Sequence, residues 1–347
     1  LPPSIGYYFN ATYNLLCCGV RVNFISQFKV QEYPNLIKEY KPNIFMAGPI
    51  LLKAMVDADV LEDTSFMVAP ISGGDKLFLE EEERFNEYAK SKGGVATVGN
   101  EKIDTIVRQG WGLTESTAAA SYLNRKAAKT GSIGIPLAGV TVAVFDYVPF
   151  DEFDKNTLEE KKYGEIGELC ITGDTVMKGY LNNPEATNAI LREHKDGQVW
   201  LHSDDLGYMD EDGRIYHKGR AKRMLTRSGA KVWLGTLEDT IRSHPMVDAC
   251  CCVKMNDEEE REVPVAHVVL KDKECSNSVF EEIDELVKVN YPESYVPKFY
   301  VKKEELPITE VNKKVDFKAL EQENILDPDN YTMVGKVISP RVKIMKK

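Results

Sequence analysis

The amino-acid sequence predicts an α/β protein with a parallel-sheet layer, a small antiparallel β subdomain and a compact α+β C-terminal domain. Three observations carry this prediction. Apolar runs alternate with helical stretches over residues 1–130, short glycine-bounded strands follow over 131–221, and mixed strand and helix signals fill 222–347. With 347 residues, 43% of them hydrophobic, the chain is long enough for two or three domains with buried cores.

The first region shows the alternation that is typical of a parallel sheet. In order, we expect a helix end and a strand at 15–26, a helix, strand and helix at 30–56, a buried strand at 65–74 and an amphipathic helix at 75–93. The apolar side of the last helix would carry Leu77, Phe85 and Tyr88. In such sheets, ligands bind beyond the carboxyl ends of the strands.

The pattern of apolar and polar residues changes after residue 130. Short alternating strands at 131–146, 164–173 and 213–220 predict the antiparallel subdomain, with a charged loop at 151–164. From 222 onward, the mixture of helix and strand patterns predicts a compact domain of about 100 residues.

Composition and charge exclude several classes of protein. The net charge of −11 and the pI of about 5.2 argue against a nucleic-acid binder, which needs a basic face to meet phosphates. Seven cysteines without a CxxC pair, three of them consecutive at 250–252, predict buried thiols in a strand of a reduced, cytoplasmic protein. The five histidines have no ligand-like spacing, and we find no signal peptide or membrane-spanning run.

Two glycine-containing stretches follow predicted strands, "SGGDKL" at 72–77 and "QGWGLTES" at 109–116. A phosphate-handling loop needs small residues for close backbone approach, a hydroxyl for phosphate oxygen and a carboxylate for Mg²⁺. Thr114 and Glu115 could supply the last two, with Trp111 as a flat wall. The alternative is a turn in which Thr114 caps a helix. Taken alone, the second stretch favours the turn.

A dense charge cluster occupies residues 200–229, "WLHSDDLGYMDEDGRIYHKGRAKRMLTRSG". On its own, Asp205 with Arg220 fits a surface ion pair worth about 0–1 kcal/mol.

Five motifs, taken together, resemble the adenylate-forming superfamily of acyl- and aryl-CoA synthetases, peptide adenylation domains and luciferases. They run in the family's order and span some 245 residues: "SGGDKL", "QGWGLTE", "GELCITGDTVMKGYLNNPEAT" (167–187), "WLHSDDLGYMDEDGRIYHKGRAKRMLTRSGAKV" (200–232) and "LPITEVNKKVD" (306–316). The wording of the third motif and the "RSGAKV" turn are most similar to the acyl-CoA synthetase branch.

The resemblance implies a two-step ligase reaction. ATP and a small-molecule carboxylic acid give an acyl-adenylate and pyrophosphate, and a thiol, usually CoA, then displaces AMP. Asp205 would accept hydrogen bonds from both ribose hydroxyls, and Glu115 would hold Mg²⁺ while Thr114 contacts phosphate. The nucleotide and CoA positions implied by the resemblance are Gly73, Gly74, Asp75, Gln109, Gly110, Trp111, Gly112, Thr114, Asp205, Arg220, Lys222, Ser228, Gly229 and Lys231.

The resemblance also implies a mobile C-terminal domain and a catalytic lysine. Lys222 occupies the hinge position, and the turn at Ser228 and Gly229 would line the CoA tunnel. The lysine that neutralises charge at the α-phosphate is either Lys313 or Lys314, and the "KKVD" wording favours Lys314.

Departures from the family pattern leave alternatives open. Asp204 replaces a family glycine, and nothing in residues 1–70 resembles the glycine-rich phosphate loop. We therefore expect the C-terminal portion of a longer ligase that is inactive as a fragment. The alternatives are an adenylation domain that loads a carrier protein and a non-catalytic nucleotide- or acyl-binding paralogue. Oligomeric state and the identity of the acid are not encoded in a readable way.

Overall fold

The protein divides into two compact units, which the computed structural model places at Leu1–His217 and Lys218–Lys347. The residues that the structure describes are 10–25, 29–124, 129–272, 276–309 and 314–341. Each unit has buried apolar clusters of its own. None of the helices in the described part of the chain has both the length and the apolar character needed to cross a membrane.

The first unit opens with a sheet of parallel strands. In chain order the strands of this region are β1 (Ile44–Ala47), β2 (Ala69–Ser72), β3 (Val95–Val98), β4 (Glu101–Asp104), β5 (Arg108–Trp111), β6 (Ser121–Tyr122) and β7 (Ile135–Pro136). The sheet order is β1-β2-β5-β6-β7, with β1, β2 and β5 parallel, while β3 and β4 pair as a separate hairpin. Helices Tyr33–Tyr40, Pro49–Ala58 and Leu79–Ser91 share one apolar core with β1.

A second, antiparallel sheet completes the first unit. Its strands are β8 (Val140–Phe145), β9 (Gly167–Gly173), β10 (Leu191–Glu193), β11 (Val199–Met209) and β12 (Ile215–Arg220), in the order β10-β11-β9-β8, with β12 paired to β11. A short helix, Pro184–Ile190, precedes β10. The register of β11 against β9 shifts between His202 and Leu206, which marks a β-bulge.

The second unit combines a hairpin with a mixed sheet. The hairpin is β13 (Met224–Arg227) and β14 (Ala230–Trp233), and the sheet has the order β15-β16-β17-β19-β18. The strands of this sheet are β15 (Val247–Asp257), β16 (Arg261–Leu270), β17 (Phe299–Lys303), β18 (Tyr331–Val334) and β19 (Val337–Pro340), and the helices of the unit are Leu234–Arg242, Ser278–Asn290 and Phe317–Glu321.

The α/β class predicted from the sequence is confirmed, and several of its elements form as expected. The helix–strand–helix run over 30–56 appears as Tyr33–Tyr40, β1 and Pro49–Ala58. The helix predicted over 75–93 forms at Leu79–Ser91, and Phe85 and Tyr88 are buried on it, whereas Leu77 is buried but precedes the helix. The consecutive cysteines lie in β15, where Cys250, Cys251 and Cys252 are buried free thiols.

Two local expectations are wrong. No strand forms in the described residues of 15–26, where a helical turn at Leu15–Cys17 gives way to irregular chain after Gly19, whose φ is 73°. No α-helix follows Thr114 either: the 3₁₀ turn Thr114–Ser116 ends at Thr117 and Ala118, whose φ values are 56° and 80°. Left-handed residues cannot continue a right-handed helix, so the turn leads into β6 instead.

Candidate functional site

The two glycine-containing stretches lie side by side at one edge of the parallel sheet. Ser72 of β2 pairs with Gln109 of β5, so the glycines after each lie on neighbouring strands. Gly74 has a φ of 83°, which favours glycine. At Gly112, an added Cβ would lie 2.0 Å from the carbonyl oxygen of Ala118, so no larger residue fits. Gly74 is exposed, whereas Gly112 packs closely against the chain at Ala118.

The side chain of Gln109 is engaged inside the protein. Its amide Nε2 donates to Oε2 of Glu82 at 2.7 Å, and the backbone N–H of Gly131 donates to the same oxygen at 2.9 Å. Glu82 is only 1% exposed, and burial raises the pKa of its carboxyl to about 7, against the opposing effect of these two hydrogen bonds. Sequence reasoning missed Glu82, because four consecutive glutamates look alike at the start of a helix.

We expect Glu82 to make folding stability fall as the pH rises. Its carboxyl has a raised pKa of about 7 in the folded protein against an ordinary value of 4.5. The contribution of Glu82 to the free energy of unfolding is therefore fully present below pH 4.5 and is lost as the pH rises to about 7. The loss amounts to about 3 kcal/mol. In thermal unfolding between about pH 5 and about pH 8, Glu82→Gln should flatten this dependence. Glu87, which is exposed on the same helix, is the control, since Glu87→Gln should keep the wild-type slope. A wild-type slope in Glu82→Gln would contradict the assignment.

Trp111 and Asp205 meet across 94 positions of sequence separation. The indole Nε1 of Trp111 donates to Oδ2 of Asp205 at 2.8 Å. The other carboxylate oxygen, Oδ1, lies 3.3 Å from Nε2 of His217. Asp205 is 3% exposed. The structure thus brings together two residues that the sequence nominated, and it fixes the plane of the Asp205 carboxylate from both sides.

Asp204 owes its place to the bulge in β11. Its φ is 57°, in the left-handed region that glycine, asparagine and aspartate occupy most readily. The Asp204 N–H donates to Oε1 of Glu168 at 2.9 Å, and the Asp205 N–H donates to Oγ of Ser203 at 3.0 Å. The backbone conformation explains why aspartate is tolerated at a position where the family pattern predicts glycine.

A buried hydrogen-bonded chain lies behind this bulge. Nδ1 of His202 lies 2.8 Å from Oε2 of Glu168, and Nε2 of His202 lies 2.9 Å from Nε2 of His194. Burial, together with His202, lowers the pKa of His194 to about 4, so its ring is neutral at neutral pH. The sequence spacing of the histidines did not reveal this chain.

Glu168, Cys170 and His202 lie close enough to one another to suggest a metal-binding group, their ligand atoms all falling within 4.8 Å. However, two ligands of a tetrahedral metal are about 3.3 Å apart. The 2.8 Å contact between His202 and Glu168 is shorter and is that of a hydrogen bond. The group therefore supports the bulge that carries Asp205.

Thr114 and Glu115 lie on a 3₁₀ turn, Thr114–Ser116, where Thr114 is exposed and Glu115 half-buried. The hydroxyl of Tyr180 donates to Oε1 of Glu115 at 2.6 Å. A hydroxyl and a carboxylate beside each other are the oxygen ligands that Mg²⁺ prefers, so the donor set fits this ion.

In the second unit, the residues predicted at the hinge lie in or next to a short 3₁₀ turn, Ala221–Arg223. Arg220 precedes this turn at the end of β12, and Lys222 within it is exposed. The next residue, Arg223, is anchored: it forms an ion pair with the buried Glu238 and donates to the carbonyl of Cys252 at 2.8 Å. Chain to the C-terminal side of Lys222 is therefore fixed to β15.

The predicted turn at Ser228 and Gly229 is a two-residue hairpin loop between β13 and β14. Their φ values are 50° and 83°, and two positive values are the mark of a type I′ turn. Lys231, on β14, is exposed and pairs with Thr226 of β13.

Lys314 pairs with Thr309 in the second unit. Its carbonyl accepts a hydrogen bond from the N–H of Thr309 at 2.8 Å, next to an isolated bridge between Ile308 and Val315. The Lys314 residue is exposed. Lys313 lies outside the described residues, so the choice between the two lysines stays a prediction.

Comparison with known proteins places the chain in a family. Residues 1–181 match the AMP-binding enzyme family, and residues 236–313 match the AMP-binding enzyme C-terminal domain. The first match alone covers more than half of the 347 residues.

The chain belongs to the AMP-binding, adenylate-forming enzyme family.

Curated relatives in the AMP-binding family include ligases and a luciferase. The chain is 30% identical over 276 residues to luciferin 4-monooxygenase of Photinus pyralis, which covers 78% of the chain and 45% of that protein. It is 31% identical over 258 residues to probable 4-coumarate–CoA ligase 1 of Dictyostelium discoideum, and the match covers 74% of the chain and 42% of that protein. It is 28% identical over 309 residues to a long-chain-fatty-acid–CoA ligase of Bacillus subtilis, and the match covers 88% of the chain and 50% of that protein. The chain thus spans about half the length of these relatives.

Solved structures share the fold of this AMP-binding family member. ATP-bound MatB from Rhodopseudomonas palustris superposes with a TM-score of 0.74 at 22% identity, covering 91% of this chain and 57% of that one. The O-succinylbenzoate CoA synthetase MenE of Bacillus subtilis, in complex with AMP, gives a TM-score of 0.71 at 22% identity. The match covers 93% of this chain and 60% of that one.

Proposed function

We propose that this AMP-binding family member acts in an AMP-forming acid–CoA ligase. A carboxylate oxygen of the acid attacks the α-phosphorus of ATP, and the bond from that phosphorus to pyrophosphate breaks. The sulfur of CoA then attacks the acyl carbon, its proton passes to solvent, and AMP leaves. The observation that carries the proposal is the buried Asp205 carboxylate, whose two oxygens are oriented by Trp111 and His217 beside a glycine-lined sheet edge.

The sheet edge is the proposed site of the nucleotide. Small residues permit a flat adenine to approach the backbone, and the indole of Trp111 supplies an apolar wall. The proposed positions on this surface are Gly73, Gly74, Asp75, Gln109, Gly110, Trp111 and Gly112. Gln109 would contribute through its backbone, because its side chain is held by Glu82. Asp205 would accept hydrogen bonds from the ribose hydroxyls, a task suited to an acceptor-only group.

Mg²⁺ is the proposed metal of the triphosphate. Glu115 would hold it and Thr114 would contact a phosphate oxygen, in keeping with the donor set of their turn. The ion supplies positive charge that stabilises the phosphates when it is bound.

The second unit would supply the remaining groups. The proposal assigns Arg220 to the nucleotide, Lys222 to the pivot, and Ser228, Gly229 and Lys231 to CoA. Lys314, or Lys313 beside it, would place a positive charge against the transition state at the α-phosphate. The anchored Arg223 supports the pivot, because a rigid attachment on one side concentrates backbone rotation at Lys222.

A screen of the full-length protein against acids of graded length tests the proposal. Acid-dependent exchange of labelled pyrophosphate into ATP, followed by a CoA thioester when CoA is added, is the expected result. Exchange without a thioester, together with acyl transfer to a carrier protein, would instead support an adenylation domain. Binding of AMP with no exchange for any acid would identify a non-catalytic binder.

The Lys222→Pro variant is expected to separate the two half-reactions. Proline fixes φ near −65° and restricts the preceding residue, so the pivot loses its rotation. Adenylation, measured as pyrophosphate exchange, should remain largely intact, while thioester formation falls about tenfold or more. Lys222→Ala keeps backbone freedom and serves as the control. Equal loss of both half-reactions in Lys222→Pro would refute the pivot.

A further inference from the structure

The segment "GYLNNPEAT" at 179–187 has no role in the site described so far, although its sequence is among the most distinctive in the chain. It lies between β9 and β10 and includes the start of the helix Pro184–Ile190. Its tyrosine, Tyr180, is 38% exposed, so packing does not account for it.

Several residues of the segment hold Tyr180 in place. The Tyr180 N–H donates to Oγ1 of Thr187 at 2.9 Å, and that hydroxyl donates to the Asn183 carbonyl at 2.9 Å. Oδ1 of Asn183 accepts from the Ala186 N–H at 3.0 Å and caps the helix. Gly179 has a φ of 146°, and an added Cβ would lie 2.8 Å from Cγ2 of Thr187, so only glycine fits.

The same loop is also tied to the turn that carries Glu115. The Met177 N–H donates to the Glu115 carbonyl at 2.8 Å, and Oγ1 of Thr117 donates to the Thr175 carbonyl at 2.7 Å. The Tyr180 hydroxyl makes the third connection, to Oε1 of Glu115 at 2.6 Å. That length is typical of a hydroxyl bound to an ionised carboxylate.

We propose that Tyr180 is a positioning residue that orients the Glu115 carboxylate for Mg²⁺, and that the 179–187 segment exists to aim its hydroxyl. This inference rests on the proposed function, which assigns Mg²⁺ to Glu115. The phenol binds one oxygen, Oε1, and Oε2 would hold the ion.

A structural role and a positioning role of this hydrogen bond predict effects on different quantities. A partly exposed hydrogen bond between two side chains contributes about 1 kcal/mol or less to folding. Partners that hold a metal ligand, by contrast, change metal affinity by about 10- to 100-fold when they are removed.

Calorimetric binding to the full-length protein without acid tests the inference, using two ligands. Mg·ATP carries the metal and metal-free AMP does not. For Tyr180→Phe, we expect the dissociation constant of Mg·ATP to rise about tenfold, while that of AMP is unchanged. Thr187→Val removes the hydroxyl that holds the Tyr180 backbone. This variant should also raise the dissociation constant of Mg·ATP. Tyr163→Phe, at a tyrosine that is 63% exposed, is the matched control and should alter neither constant.

Each outcome is decisive. An unchanged Mg·ATP constant in Tyr180→Phe would overturn the inference, as would equal weakening of Mg·ATP and AMP, which indicates a general structural role. If the wild-type protein bound AMP and Mg·ATP and gave acid-dependent exchange, such results would leave the proposed function standing. A wild-type protein that bound neither nucleotide would contradict both.

Discussion

The Asp205→Asn variant is expected to lower kcat/KM for ATP in acid-dependent pyrophosphate exchange by about 100-fold. Asparagine removes the negative charge and turns one acceptor oxygen into a donor. Each of two charge-assisted hydrogen bonds to the ribose would lose about 1.5 kcal/mol, and their sum of about 3 kcal/mol gives this factor.

The surroundings of Asp205 suggest that the fold survives this change. The asparagine carbonyl can still accept from Trp111 Nε1, and its NH₂ can donate to a neutral His217 Nε2. Asp204→Asn is the control next to it, because asparagine keeps the left-handed conformation that this position requires. Exchange kinetics and thermal unfolding should be measured together. Wild-type kinetics in a folded Asp205→Asn protein would show that Asp205 does not bind the nucleotide.

Removal of the catalytic lysine is the second change with a large expected effect. We expect Lys314→Ala to reduce acid-dependent exchange by about 100- to 1,000-fold, because the positive charge acts on the transition state at the α-phosphate. Nucleotide binding in the ground state should change much less, since the proposed contact is made mainly during phosphoryl transfer.

The neighbouring lysines make the assignment testable in one series. Lys313→Ala is measured in parallel, and Lys318→Ala, at an exposed position of the helix Phe317–Glu321, is the control. A large loss in Lys313→Ala alone would move the role to Lys313. Normal exchange in both variants would remove the C-terminal lysine from the mechanism.

Sequence patterns predicted the features that depend on local chemistry. The glycines of the two turns, the turn at Ser228 and Gly229, and the buried cysteines all follow from conformational freedom or from the strand period. The adjacency of Ser72 and Gln109 follows from the rule that parallel strands end at a common edge.

The features that were missed depend on tertiary packing. Tyr180 and Glu115 are 65 positions apart, and Gln109 and Glu82 are 27 apart, so no local pattern links them. Glu82 differs from its three neighbouring glutamates only because the helix turns it toward Gln109 and the Gly131 backbone. The same holds for the His202–Glu168 contact, which needs β11 beside β9.

The central claim is that the acid's own carboxylate attacks the α-phosphorus of ATP. The most direct test supplies the full-length protein with ATP, CoA and an acid labelled with ¹⁸O in its carboxylate, and analyses the products by mass spectrometry. The account predicts that one ¹⁸O per turnover appears in the phosphate of AMP, because that oxygen bridges the adenylate and leaves with it. Label in inorganic phosphate with ADP as the nucleotide product would contradict the account, because it would place the attack at the γ-phosphate.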